Sequence, residues 1–126
     1  DDIDSTKNFL HCIETRVKQN CAIAIYPEAH IWPFYTKIRP FTSLSFRYPV
    51  QYEVPSFCFT NVYTKRKFSK TPKITTYVDG PFFADKNLSI KEQREDLRNK
   101  IFSAMTERAK LNNVEVIKYI KKESQK

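Results

Sequence analysis

The sequence predicts an α/β unit, a mixed sheet flanked by helices, from three observations. Apolar residues Phe9, Leu10, Ile13 and Val17 recur at helical spacing. Cys21-Ala22-Ile23-Ala24-Ile25-Tyr26 is an uninterrupted apolar run too short for a helix of its own. Ser89 followed by Glu92 is a capping-box pattern that opens a second amphipathic stretch through Leu97, Ile101, Ala104, Met105 and Ala109.

In chain order, Asp4, Ser5 and Thr6 can each cap a first helix, expected over about residues 6–19 and closed by Asn20. The run 21–26 is expected to be a buried, parallel, interior strand, with the Phe9 face of the first helix packed against its sheet. Pro27 cannot donate to a ladder and ends it, leaving Glu28-Ala29-His30 at the C-terminal edge, where open α/β sheets bind ligands. From Ile31 to Pro55 four prolines interrupt an aromatic-rich stretch, so only a short helix near Thr42–Arg47 is expected. Phe57–Tyr63 and Ile74–Val78 have strand composition and flank the charged turn Lys65-Arg66-Lys67, which suggests a hairpin. After the helix that begins near Ser89, residues 113–126 form a basic tail that either continues as a short amphipathic helix or frays.

The 126 residues, 40% of them hydrophobic, suit a single domain with a modest core. No run approaches the roughly 18 apolar residues of a membrane-spanning helix. The chain begins with Asp1 rather than Met, which favours a piece of a longer protein. A net charge of +8 attracts polyanions, among them nucleic acid, anionic lipid and phosphorylated metabolites. Cys12, Cys21 and Cys58 are odd in number and lack metal-ligand spacing, so reduced and mostly buried thiols are expected. A single Gly among 126 residues cannot supply the RNA-recognition signature, and nucleic acid is not the expected partner.

Ile23 to His30 resembles the hydrophobic strand followed by Phe-Pro-Glu-Gly-Thr-Arg of glycerolipid acyltransferases of the lysophosphatidic-acid (1-acylglycerol-3-phosphate) type, with Tyr26, Pro27 and Glu28 matching. Tyr52-Glu53-Val54-Pro55 looks like the later Val-Pro block of that family. Asp79-Gly80-Pro81 resembles its terminal strand and Gly-x-Pro-type turn, again followed by a charged helix. The resemblance covers most of the chain and implies the C-terminal portion of an acyltransferase domain. Such an enzyme moves a fatty acyl group from acyl-CoA or acyl carrier protein to a lysophospholipid-like hydroxyl, in phospholipid biosynthesis. It implies no metal and no bound organic cofactor, and a cytoplasmic protein, peripheral at the cytoplasmic face of an anionic membrane.

Two departures bear on this. The family base is a His followed by four residues and an Asp, but the fifth position after His11 is Arg16 and after His30 is Tyr35. No catalytic residue is therefore assigned within the sequence, which is expected to be inactive by itself. Gly-Thr-Arg becomes Ala29-His30-Ile31, which removes an arginine suited to a bidentate phosphate contact.

The candidate substrate-binding residues are Pro27, Glu28, His30, Lys37 and Arg39. Glu28 can bond a glycerol hydroxyl or brace a catalytic loop; alternatively it is ion-paired to Lys37 or Arg39. His30 can donate to a phosphate or thioester oxygen, or simply be solvated. Lys37 and Arg39 can replace the lost arginine, or be surface charge. Lys65-Arg66-Lys67 and the tail can anchor the protein to anionic lipid or be solvated faces. A catalytically inert lipid-binding module and, less favoured, a basic nucleic-acid-binding domain are the other function classes. Missing sheet neighbours would leave an open edge or apolar face, for which a homodimer is the expected cover.

Overall fold

The computed structural model describes residues 2–123. Its elements are α1 (Asp2–Lys18), a 3₁₀ turn (Leu44–Phe46) running into α2 (Arg47–Tyr52), β1 (Ser56–Thr64), β2 (Lys73–Phe82) and α3 (Ile90–Ala109). The chain is thus a mixture of helix and strand, as expected. The sheet among the described residues is two antiparallel strands rather than a mixed sheet.

The hairpin forms where β-branched and aromatic residues alternate. Thr64 faces Lys73 next to the connection, Phe59 faces Val78 midway, and Ser56 faces Phe82 at the open end. Cys58, Thr60 and Val62 of β1 are buried, while Phe57, Phe59 and Asn61 between them are exposed. That alternation follows from the two-residue period of a strand with one covered face. The register slips between Ser56 and Cys58, where β2 carries Gly80 at φ +134°. A Cβ there would lie 2.8 Å from the Ser56 carbonyl oxygen and 2.9 Å from Phe57 Cδ1, so the sequence's one glycine stands where a side chain cannot.

The covering element is α3. The Ser89 hydroxyl accepts the Glu92 N–H, and Glu92 Oε2 accepts the Ser89 N–H at 3.0 Å, completing the expected capping box. Gln93, Leu97, Ile101 and Met105 then form a buried stripe at four-residue intervals. Leu97, Ile101 and Met105 meet Cys58 of β1 and the buried Phe41, Phe46 and Val50 in the main core. Leu97 has no exposed surface, and burying such a side chain contributes about 1.5–3 kcal/mol. Arg98 Nε donates to the Phe41 carbonyl at 2.9 Å and tethers the loop before α2 to the same helix.

Helix α1 starts four residues earlier than its capping signals suggest, with Asp2 and Asp4 at its positive end and Arg16 and Lys18 at its negative end. It closes in a Schellman motif: Asn20 is left-handed at φ 56°, the Asn20 N–H reaches the Val17 carbonyl at 3.0 Å, and the Cys21 N–H reaches Arg16 at 2.9 Å. Its packing differs from expectation. Only Ile13 is buried, and exposed Phe9 meets Tyr48 edge-on at 6.1 Å instead of lying on the sheet.

The largest correction concerns residues 21–26, which are not a strand; Ile23 and Ile25 are 39% and 41% exposed. A strand needs a ladder partner for its N–H and C=O groups. The edge of β1 away from β2 is already engaged at its far end by the residues that follow α3. The Tyr63 N–H donates to Asn112 Oδ1 at 2.7 Å, the Asn113 N–H to the Tyr63 carbonyl at 3.1 Å, and the Lys65 N–H to Asn113 Oδ1 at 2.7 Å. Two asparagines thus occupy that end of the edge, two of the three bonds being made by their side chains. The thiols also depart from expectation, since Cys12 and Cys21 are exposed and only Cys58 is buried. The basic tail has no helix from residue 113 to 123, and residues 124–126 lie outside the described residues.

Candidate functional site

Without a strand at 21–26, the candidate residues sit on a loop held by tight turns. Ala29 and Phe34 adopt left-handed conformations at φ 63° and 57°, the Ala29 N–H reaches the Tyr26 carbonyl at 3.2 Å, and the Tyr35 N–H reaches Trp32 at 3.2 Å. These reversals bring the chain back on itself. The Arg39 N–H donates to Glu28 Oε2 at 2.8 Å, with Pro27, Glu28 and Arg39 all half-buried. Glu28 therefore braces the returning loop through main chain. Neither Lys37 nor the Arg39 side chain pairs with it among the described ion pairs.

The Arg39 guanidinium lies 4.3 Å from the centre of the Trp32 ring, a cation–π contact. Behind it Trp32 stacks on Tyr119, with centroids 5.0 Å apart and planes 13° from parallel, and Tyr35 meets Trp32 and Tyr119 edge-on at 5.0 and 5.4 Å. The Tyr119 hydroxyl donates to the Pro33 carbonyl at 2.7 Å, and Asn112 Nδ2 to the Thr36 carbonyl at 3.1 Å. One nitrogen of Arg39, Nη1, is buried with no acceptor among the described residues.

Pro27, Glu28 and Arg39 are thus brought together; His30 and Lys37 are not. His30 is exposed, and its N–H donates to the Glu28 carbonyl at 2.8 Å, while the exposed Lys37 makes no described side-chain hydrogen bond or ion pair. Ile31, which follows His30 on the same turn, is 88% exposed. The aromatic loop divides in two: Phe41 and Phe46 belong to the core, whereas Trp32 and Tyr35 build the site. Tyr119 is the contributor that sequence reasoning missed. It comes from the basic tail, 86 positions beyond Pro33, and only its place among surrounding lysines marked it as an odd residue there.

Chemically the arrangement is a cation without an anion. Nη1 itself has no open surface, so an oxyanion would have to meet the guanidinium at its other N–H groups, where a charge-assisted hydrogen bond is available. Elsewhere, an open depression between α2 and the start of α3 is lined by Arg47, Gln51, Glu53, Lys86 and Arg94, with Glu53 paired to Lys86 at 2.9 Å.

An ion pair ties α3 to the hairpin. Arg108 of α3 grips Asp79 of β2 in a fork, Nε to Oδ2 at 2.9 Å and Nη2 to Oδ1 at 2.8 Å, and lies 4.5 Å over the Tyr77 ring. These hydrogen bonds hold the Asp79 carboxyl below its ordinary range, while burial, followed by the charge of Asp79, pushes the Cys58 thiol up. Comparison with protein-family models, curated proteins and solved structures returns no match for this chain.

Proposed function

We propose that this chain is the acceptor-holding part of a glycerolipid acyltransferase, in which Arg39 receives the phosphate of a lysophospholipid-like acceptor. The acyl group would come from acyl-CoA or acyl carrier protein. The observation that carries the reading is the half-buried Arg39 guanidinium, set on Trp32 with no carboxylate paired to it among the described ion pairs, next to the Pro27-Glu28 pair that resembles the family motif. Arg39 then takes the role left open by Ile31. Glu28 sets its position by holding the Arg39 main chain, and the aromatic cluster restricts water around the cation, which strengthens its pull on an anion. Proton removal from the acceptor hydroxyl falls to a His-Asp pair that this sequence does not contain.

The test is binding by titration calorimetry of a short-chain lysophosphatidic acid, below its micelle concentration, against the matching monoacylglycerol. Arg39→Ala should weaken binding of the phosphate-bearing acceptor about tenfold or more, matching the roughly 1.5–3 kcal/mol of a hydrogen bond to a charged group. The monoacylglycerol should bind wild type and variant alike. Equal losses for both ligands, or no preference for phosphate in the wild type, would sink the assignment.

A further inference from the structure

We infer that the tip of the β1–β2 hairpin is a membrane-docking element, which inserts Phe68 among the headgroups of an anionic bilayer. The connection between Thr64 and Lys73 reads Lys-Arg-Lys-Phe-Ser-Lys-Thr-Pro. Phe68 is 93% exposed, more than any other large apolar side chain among the described residues. Around it stand Lys65, Arg66, Lys67, Lys70 and Lys73, every one exposed, and no acidic residue occurs between Glu53 and Asp79. None of these five cations belongs to a described ion pair.

The tip is also built to hold its shape. Pro72 is buried at its base, the Thr71 N–H donates to Ser69 Oγ at 3.2 Å, and the Lys65 N–H is bound by Asn113. An aromatic ring at the apex of a basic turn, met only by the Lys67 ammonium 5.7 Å from its centre among the described cation–π and ring contacts, is costly in water. It is favourable where the ring reaches the acyl boundary while the ammonium groups stay with lipid phosphates. Each cation near an anionic leaflet strengthens binding about fivefold. Single-stranded nucleic acid would use the same charges, but it stacks successive bases on successive aromatic faces, and Phe68 has no aromatic neighbour among the described residues. This inference goes beyond the acceptor site and stands independently of it.

Co-sedimentation of the 126-residue chain with phosphatidylcholine vesicles, with and without about one-third phosphatidylserine, tests it. Wild type should partition onto the anionic vesicles and be released by high salt. Phe68→Ser should lower the partition coefficient about tenfold, and Lys65→Glu with Lys67→Glu should lower it by more, with circular dichroism unchanged because all three side chains are solvated. In Phe68→Trp, emission should shift to the blue on anionic vesicles and be quenched by brominated acyl chains, beyond any change shown by Trp32 in the wild type. The inference is overturned by equal binding to both vesicle types, by a Phe68→Ser variant that binds like wild type, or by an unquenched Phe68→Trp. Displacement from vesicles by single-stranded RNA, through contacts that also require Phe68, would reassign the tip to nucleic acid.

Discussion

Arg108 and Asp79 are 29 positions apart and join the last turn of α3 to β2 through two parallel hydrogen bonds. A fork of this kind fixes orientation as well as distance. Because the folded Asp79 carboxyl titrates below its unfolded value of about 3.9, the pair's contribution is present above that value and disappears as pH falls through the depressed one. Glu92, held down by the Ser89 hydroxyl, and Glu14, held down by Lys18, act in the same direction. Urea midpoints should therefore show wild type more stable than Asp79→Asn at pH 7, with the gap closing as the pH falls below the ordinary carboxylate range. A gap that persists undiminished at pH 2 would mean that the ionic fork is not its source. Sequence reading placed Asp79 at a strand end and Arg108 on a helix, but could not join them. A contact across 29 residues depends on how α3 lies over the hairpin, and that is set by Leu97, Ile101 and Met105 beneath it.

At the level of elements, legibility followed how locally each one is determined. The capping box at Ser89, the stripe below it and the alternation of the hairpin are properties of neighbouring residues, and all three appear as expected. The run Cys21–Tyr26 is as apolar as any strand, yet its state depends on a partner that local composition does not specify, and it remains irregular chain without a ladder. The site fared in the same way. Glu28 and Arg39 could be singled out by type and position, whereas the Trp32–Tyr119 stack requires the tail to return across the molecule. For the capped helix the consequence is quantitative: Ser89→Ala removes an acceptor at the first turn and should lower the melting temperature by a few degrees, while Ser89→Thr should retain most of the stability. Thermal melts followed at 222 nm would show it.

For the whole molecule the exposed face of the hairpin is the dominant feature. Phe57, Phe59, Ile74 and Val78 lie on the side of the sheet away from α3, and each is more than half exposed. β2 also presents its outer backbone groups without a neighbouring strand in the sheet. Such an edge recruits another strand, and a second copy is the partner always at hand. The chain is expected to form a dimer at micromolar concentration through antiparallel pairing of β2 with its counterpart. Light scattering should then report twice the 15.0 kDa mass, and Thr76→Pro, which removes a donor from β2, should return it to the monomer. A strict monomer at high concentration would refute this.

The two asparagines after α3 determine what such pairing could become. Strands that can be joined on both edges polymerise, since every added copy exposes a new edge like the one it covered. Here the far edge of β1 is engaged at Tyr63 and Lys65 by the chain's own Asn112 and Asn113, so growth on that side meets an end already closed. Association through β2 alone uses the same surface on both copies and stops at two. The clasp thus leaves the two edges of the hairpin unlike each other: the end of β1 at Tyr63 and Lys65 is taken by the chain itself, while β2 stays open to a copy.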